Sequence, residues 1–230
     1  MSWRDFWNRQ SNSIYVNARH SQAHDALVAQ GIAGLVTSPA DCVLDYGCGD
    51  ASAADLIVSK CAKLYLFDAA PNVRARLSAR FAGRAGIELV GDESLTSIAP
   101  ASLDLIVVNS VLQYVTQVDF ETLLDRFHMR LKPSGRLVLA DIVSPDTGAA
   151  DDAKALLAFA WKDGFFCAAI AGLARTFFSD YRTLRAQFGL TRYREPEMIA
   201  LFAKHGFAGA RAAQNIGHNQ ARMLFVARPV

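Results

Sequence analysis

The sequence predicts a doubly wound α/β fold whose sheet is seven-stranded and mostly parallel, with a helical insertion before its last three elements. Three observations carry this reading. Short apolar strands alternate with helices from about residue 42 to 143. The first strand runs straight into a glycine turn and a helix-forming segment, Val43-Leu44-Asp45-Tyr46-Gly47-Cys48-Gly49-Asp50-Ala51. From Ser144 to about Arg194 no strand pattern appears, and the chain then closes on one helix and two strands.

Taken in order, a helix carrying Tyr15 to His24 precedes the sheet. Strand one is Cys42–Tyr46, followed by a helix over Ser52–Cys61. Strand two is Lys63–Asp68, and Pro71 opens a helix to Phe81, a first-turn position where its missing N–H costs nothing. Gly86–Val90 is strand three and Leu103–Asn109 strand four. Asp119–Leu131 is a helix stopped by Lys132-Pro133-Ser134-Gly135, and Arg136–Val143 is strand five. Glu195–His205 is the last helix. Two strands, Arg211–Ile216 and Arg222–Arg228, are joined by a turn at Gly217-His218-Asn219-Gln220. The expected organisation is an N-terminal helical segment (1–40), an α/β core (41–143), a helical insertion (144–194), and a final helix and hairpin (195–230) that complete the sheet.

The bulk numbers narrow the class. At 230 residues and 52% hydrophobic composition, the chain can bury a substantial core in one domain. A net charge of +2 gives no electrostatic case for nucleic acid, and no partner of that kind is expected. Cys42, Cys48, Cys61 and Cys167 show neither a Cys-x-x-Cys spacing nor a metal pattern, so a reduced, cytoplasmic protein is expected. No stretch approaches the roughly 20 apolar residues of a membrane span. A peripheral membrane contact stays open.

The glycine turn is the densest signal. Glycines at alternate positions let the backbone turn sharply and approach a ligand closely. Ser52 stands where the dinucleotide fingerprint needs its third glycine, and Asp45 at the strand's end would repel a pyrophosphate. Both details favour a cationic ligand over NAD. The run resembles the first motif of class I S-adenosylmethionine (SAM)-dependent methyltransferases, acid-x-Gly-x-Gly-x-Gly, with Ala51 in place of the last glycine. Asp68 at the end of strand two, Val90-Gly91-Asp92-Glu93 after strand three and the Asn109-Ser110-Val111-Leu112 run after strand four resemble the later motifs. The terminal hairpin is similar too, implying a last strand inserted antiparallel beside strand five.

That resemblance implies SAM as cofactor. It places Asp45, Gly47, Cys48 and Gly49 at the methionine end and Asp68 and Ala69 at the ribose. Asp92 and Glu93 would reach the adenine, and Asn109 would line the floor. N-terminal segments close over the SAM carboxylate in similar enzymes, a role Tyr15 and Arg19 are spaced to fill. Motifs for methylating DNA bases are missing after strand four, which leaves a small-molecule or lipid-like acceptor methylated on O, N or C. An NAD(P)-dependent oxidoreductase and a non-catalytic SAM-fold binding protein remain the alternatives.

The insertion points to the acceptor. It carries Phe159, Trp161, Phe165, Phe166, Phe177, Phe178, Tyr181, Phe188 and Tyr193, with Arg175, Arg182, Arg185, Arg192 and Arg194. A lid over the acceptor, a self-packed helical subdomain and a homodimer face all fit that composition. His20 and His24, at i and i+4, have metal-ligand spacing but no third ligand, so surface or capping roles and no metal site are expected. His218, if the hairpin turn faces the active site, is the candidate general base, against the plainer reading of a polar turn residue.

Overall fold

Seven strands form one sheet in the order β3-β2-β1-β4-β5-β7-β6. The computed structural model describes residues 3–8, 15–176 and 189–230. Phe177, Phe178, Tyr181, Arg182, Arg185 and Phe188 lie outside the described residues. The strands are β1 (Cys42–Tyr46), β2 (Lys63–Phe67), β3 (Ile87–Leu89), β4 (Leu103–Asn109), β5 (Leu131–Ile142), β6 (Phe207–Arg211) and β7 (Met223–Pro229). β1 to β5 pair in parallel, while β7 runs antiparallel between β5 and β6. β6 therefore points the same way as the first five strands. The winding reverses between β1 and β4, so ligand space opens beyond the carboxyl ends there.

Helices cover both faces, which is why the central strands are continuous apolar runs such as Leu105-Ile106-Val107-Val108. One face packs against α5 (Gln117–Arg130) and α8 (Glu195–Lys204) through Phe120, Leu124, Phe127, Met198 and Phe202. The other meets α2 (Ala18–Leu35), α3 (Ala54–Val58) and α4 (Pro71–Phe81) through Ala29, Ile32, Ala33, Ile57, Val73 and Leu77. Burying a side chain the size of Ile57, Val73 or Leu77 contributes about 1.5–3 kcal/mol. A short α1 (Trp3–Trp7) lies at the start. The insertion opens with α6 (Ala149–Asp163) and α7 (Phe166–Thr176), joined by Gly164 in the left-handed region at φ 75°. A third, small cluster of Ala160, Phe165 and Ala169 ties these two helices to Val16 and Ala23.

Four boundaries differ from the sequence reading. The helix leading into the sheet, α2, starts only at Ala18, because Asn17 caps it, and Tyr15 lies ahead of it. The helix after the glycine turn shrinks to five residues, because Ala51 N–H donates to the Cys48 carbonyl and Ala54 N–H to the Ala51 carbonyl, keeping 48–54 in turns. Strand five begins at Leu131, since Leu103 pairs with Leu131 and Leu105 with Arg136, and the Lys132–Gly135 stop is a bulge inside it. The penultimate strand is Phe207–Arg211, four residues earlier than its expected start. Gly209 hid it: a Cβ there would meet Phe202 Cδ2 at 2.2 Å, so close packing on α8 demands a residue that reads as a strand breaker. The expected four-residue turn is accordingly an 11-residue connection, 212–222.

Candidate active site

A cavity of about 610 Å³ lies at the carboxyl ends of β1, β2 and β4, within the about 300–1,000 Å³ typical of small-molecule sites. A second groove of about 600 Å³ lies between α5 and α8, lined by Gln117, Glu121, Tyr193, Glu197 and Lys204.

The glycine turn forms the floor. Gly47 has φ 78°, and an added Cβ would sit 2.3 Å from Val111 Cγ2, so no other residue fits. Gly49 (φ 56°) faces open space, with nothing within 4 Å of an added Cβ. Ala51 takes φ 48°, a left-handed conformation that costs an L-residue roughly 1–2 kcal/mol. The three alternate positions thus share one backbone hand, and Ala51 meets with strain what glycine would meet without it.

Asp68 anchors the second strand end. Its Oδ2 accepts from Gly49 N–H at 3.0 Å and its Oδ1 from Ala70 N–H at 2.8 Å, so it ties the glycine turn to the start of α4. Burial nevertheless raises its carboxyl above the ordinary range, the Ala70 and Gly49 N–H groups and Arg74 only partly offsetting it. Asp45 lies beneath the turn, 5% exposed, and is pushed up to about 7, chiefly by burial and secondarily by the Asp68 charge. A cation placed above this pair would relieve both. Asn109 closes β4 with a buried Oδ1 that has no hydrogen-bond partner, an acceptor aimed at something the protein does not itself supply.

Of the residues singled out in the sequence, Tyr15, Gly47, Cys48, Gly49, Asp68, Ala69, Glu93 and Asn109 line this cavity together. Four do not line it. Asp45 sits below the floor. Asp92 turns back on its own loop, accepting from Ser94 N–H at 2.8 Å and Thr96 Oγ1 at 3.1 Å. Arg19 donates from Nε to the Asp163 carbonyl at 2.6 Å, capping the end of α6. His218 is stacked on Phe159, with centroids 4.7 Å apart and planes 12° apart. Burial, then its neighbours His24 and His20, lower it to about 4.

Other cavity residues escaped sequence reading. Trp3 and Trp7 of α1 reach the wall, with rings 4.6 and 5.5 Å from Tyr114, and Arg4 between them pairs with Glu93. Two of the chain's three tryptophans standing four apart on one helical face was the available signal. Ser110 and His24 also line the cavity, with Asp141 behind Ser110. Ser110 (φ 58°) and Asp141 (φ 61°) end adjacent strands in left-handed conformations, each costing about 1–3 kcal/mol of the kind stored at functional sites. Among the described residues, no three His, Cys, Asp or Glu groups are arranged to hold a metal ion.

A family model for the methyltransferase domain matches residues 44–137, the stretch from the glycine turn into β5. An uncharacterized methyltransferase of Geobacillus kaustophilus is 25% identical over 173 residues, covering 75% of this chain and 72% of the relative. Among solved structures, magnesium protoporphyrin IX methyltransferase from Synechocystis, solved with bound SAH (S-adenosylhomocysteine), superposes with TM-score 0.60 at 18% identity, over 98% of this chain and 94% of that one. Residues 44–137 thus match a methyltransferase domain, and the chain shares its fold with such enzymes. The mitomycin 7-O-methyltransferase MmcR also shares the fold, with TM-score 0.64 and 19% identity. It is matched by all of this chain, which spans 61% of MmcR's length.

The donor set fits SAM. The methyltransferase floor has an open face at Gly49, an acid at the end of β2, a buried acid under the turn and an orphaned amide oxygen at the end of β4. No helix among the described residues is long and apolar enough to cross a membrane.

Proposed function

We propose that this methyltransferase modifies a small, partly apolar acceptor on oxygen, nitrogen or carbon, and that α6 and α7 form its lid. The observation that carries the proposal is the reach of the cavity at the strand ends. It runs from Gly49 and Asp68 past Asn109 to Ser110 and His24, beyond the residues assigned to the cofactor. MmcR by its name acts on mitomycin and the Synechocystis enzyme on a porphyrin, which supports a small-molecule acceptor for this fold.

Bound here, SAM supplies a methyl group on a positively charged sulfur. The chain's own residues do the rest. Asp68 would accept hydrogen bonds from the ribose, and Asn109 Oδ1 from an N–H at the methionine end. Asp45, its carboxyl pushed up to about 7 by burial, would ionise more readily beneath the cation and answer its charge. Trp3, Trp7 and Tyr114 exclude water from the cavity side they cover. Arg19, through the Asp163 carbonyl, joins α2 to the lid, and Tyr15 donates to Asp25 Oδ1 at 3.1 Å, fixing the wall beside it. Alignment of this sort can supply about 7–11 kcal/mol of barrier lowering.

The test is a transfer screen with methyl-labelled SAM over phenolic, quinone, lipid and sugar-linked acceptors. Transfer to at least one class, with a mass gain of a single methyl, is the expected result. SAM binding with no transfer to any class would return the protein to the non-catalytic binding alternative.

A further inference from the structure

The segment Tyr15 to Asp25 packs an unusual share of polar side chains beside the cavity, and most have structural work. Tyr15 and Ser21 donate to Asp25, Asn17 Oδ1 caps α2 by accepting from His20 N–H at 2.9 Å, and His20 Nδ1 accepts from Val16 N–H at 3.3 Å. Arg19 is spent on Asp163. His24 differs. Its ring lines the cavity, and its buried Nδ1 has no hydrogen-bond partner.

Two strand ends converge on the same place. Ser110, on the cavity wall, donates from Oγ to Asp141 Oδ2 at 2.9 Å, and both residues hold left-handed backbones to do so. Asp141 N–H is in turn fixed by Asn215 Oδ1 at 3.0 Å, from the β6–β7 connection. β4 and β5 lie on the far side of β1 from β2 and β3, so this corner faces the space beyond the glycine turn and the ribose acid.

Resting on the methyl-transfer reading above, we propose that the acceptor presents a protic nucleophile, a hydroxyl or an amine, to His24, with Ser110 beside it and Asp141 behind. The acceptor's X–H bond breaks toward an imidazole nitrogen of His24. The electron pair left on X forms the bond to the methyl carbon, and the C–S bonding pair stays on sulfur. The imidazolium then gives its proton to solvent as product leaves. Asp141 and Asp25 stabilise that imidazolium, while burial keeps His24 neutral beforehand. The groups facing His24 are Tyr15 and Asp25 from its own segment, His20 one turn back, Asp141 from β5 and His218 from the β6–β7 connection. Arg222 and Asp152 stand behind His218, joined at 2.7 Å. His218 meets His24 edge to face, with centroids 5.7 Å apart, and is a positioning residue.

The first arm of the experiment needs no known acceptor. Full-length protein is treated with diethyl pyrocarbonate, which acylates accessible neutral imidazoles, with and without saturating SAH, and each histidine is followed by peptide mass mapping. His24 is expected to react about tenfold faster than His20, and SAH to slow it by less than about fivefold. His24→Gln should leave SAH affinity within about threefold while lowering transfer to any acceptor found in the screen by about a hundredfold. His218→Phe should lower it by less than about tenfold. An inert His24, protection by SAH beyond about tenfold, or a comparable loss of SAH affinity in His24→Gln would overturn the proposal, the last two by assigning His24 to the cofactor. Wild-type affinity for SAH, measured alongside, reads the methyl-transfer assignment separately: no SAH binding defeats both, whereas SAH binding with an inert His24 defeats only this proposal.

Discussion

The cofactor half of the cavity and the half around His24 are built by opposite strategies. Around β1 and β2, a contiguous run from Asp45 to Ala51 sets the geometry, one distant acid pins it, and backbone conformation does most of the work. Around β4 and β5, the parts come from far apart in the chain. His20, His24, Ser110, Asp141, Phe159, Phe165 and His218 meet only after folding, held by ring contacts such as His20 on Phe165 at 4.9 Å. The first half holds the buried acids Asp45 and Asp68. The second gathers the buried bases His20, His24 and His218 around one buried acid, Asp141, so protons act on most of the two sets with opposite sign.

That difference gives the largest expected effect. His20 and His218 are each lowered to about 4, burial being the main cause and neighbouring histidines the second. Bases with depressed values contribute stability that is present above about 6.5 and lost as pH falls through about 4. Asp45, raised to about 7, contributes stability that is full below about 3.8 and lost as pH rises through about 7. Moving from pH 7 to pH 5 should therefore loosen α2, α6 and the β6–β7 connection by up to about 4 kcal/mol. Over the same interval β1 should become more protected. Hydrogen exchange resolved by peptide checks this, and equal loosening of both halves would break the contrast.

Backbone dependence comes next. Gly47→Ala should cost about 2–4 kcal/mol, combining left-handed strain with overpacking against Val111, and should abolish measurable SAM binding. Thermal denaturation and calorimetry read the two effects. Asp68→Ala removes an ionised acceptor, each of whose hydrogen bonds is worth about 1.5–3 kcal/mol, and should weaken SAM by roughly tenfold to several hundredfold. Unchanged affinity in the folded variant would take Asp68 out of the cofactor half.

The same contrast decides what could be read before the structure. The order of the first five strands and the glycine turn at the end of β1 were legible, because strand period and glycine chemistry are local properties written in consecutive residues. The half around His24 was not. The sequence reads His24 as a surface or capping histidine and His218 as either a candidate base or a polar turn residue, because it predicts a short hairpin turn where the structure has an 11-residue connection. Asp141 stood at the end of strand five as plainly as Asp68 at the end of strand two, but its partner Ser110 lies 31 residues away and no local pattern joins them. Trp3 and Trp7 were similarly opaque, since the Tyr114 ring they pack on comes from the segment after β4.

The smallest effect sharpens the account of the turn. Ala51→Gly relieves a left-handed alanine that is 3% exposed, and glycine's greater unfolded-state freedom takes back part of the gain. A net stabilisation of about 0.5–1 kcal/mol is expected from chemical denaturation, with SAM affinity unchanged or improved.

The central claim is that the glycine turn and the ends of β1, β2 and β4 form a site for SAM. Calorimetric titration of the full-length protein with SAH and, separately, with NADH tests it most directly. The account predicts saturable one-to-one binding of SAH and no heat from NADH. Saturable binding of NADH with none of SAH would contradict it.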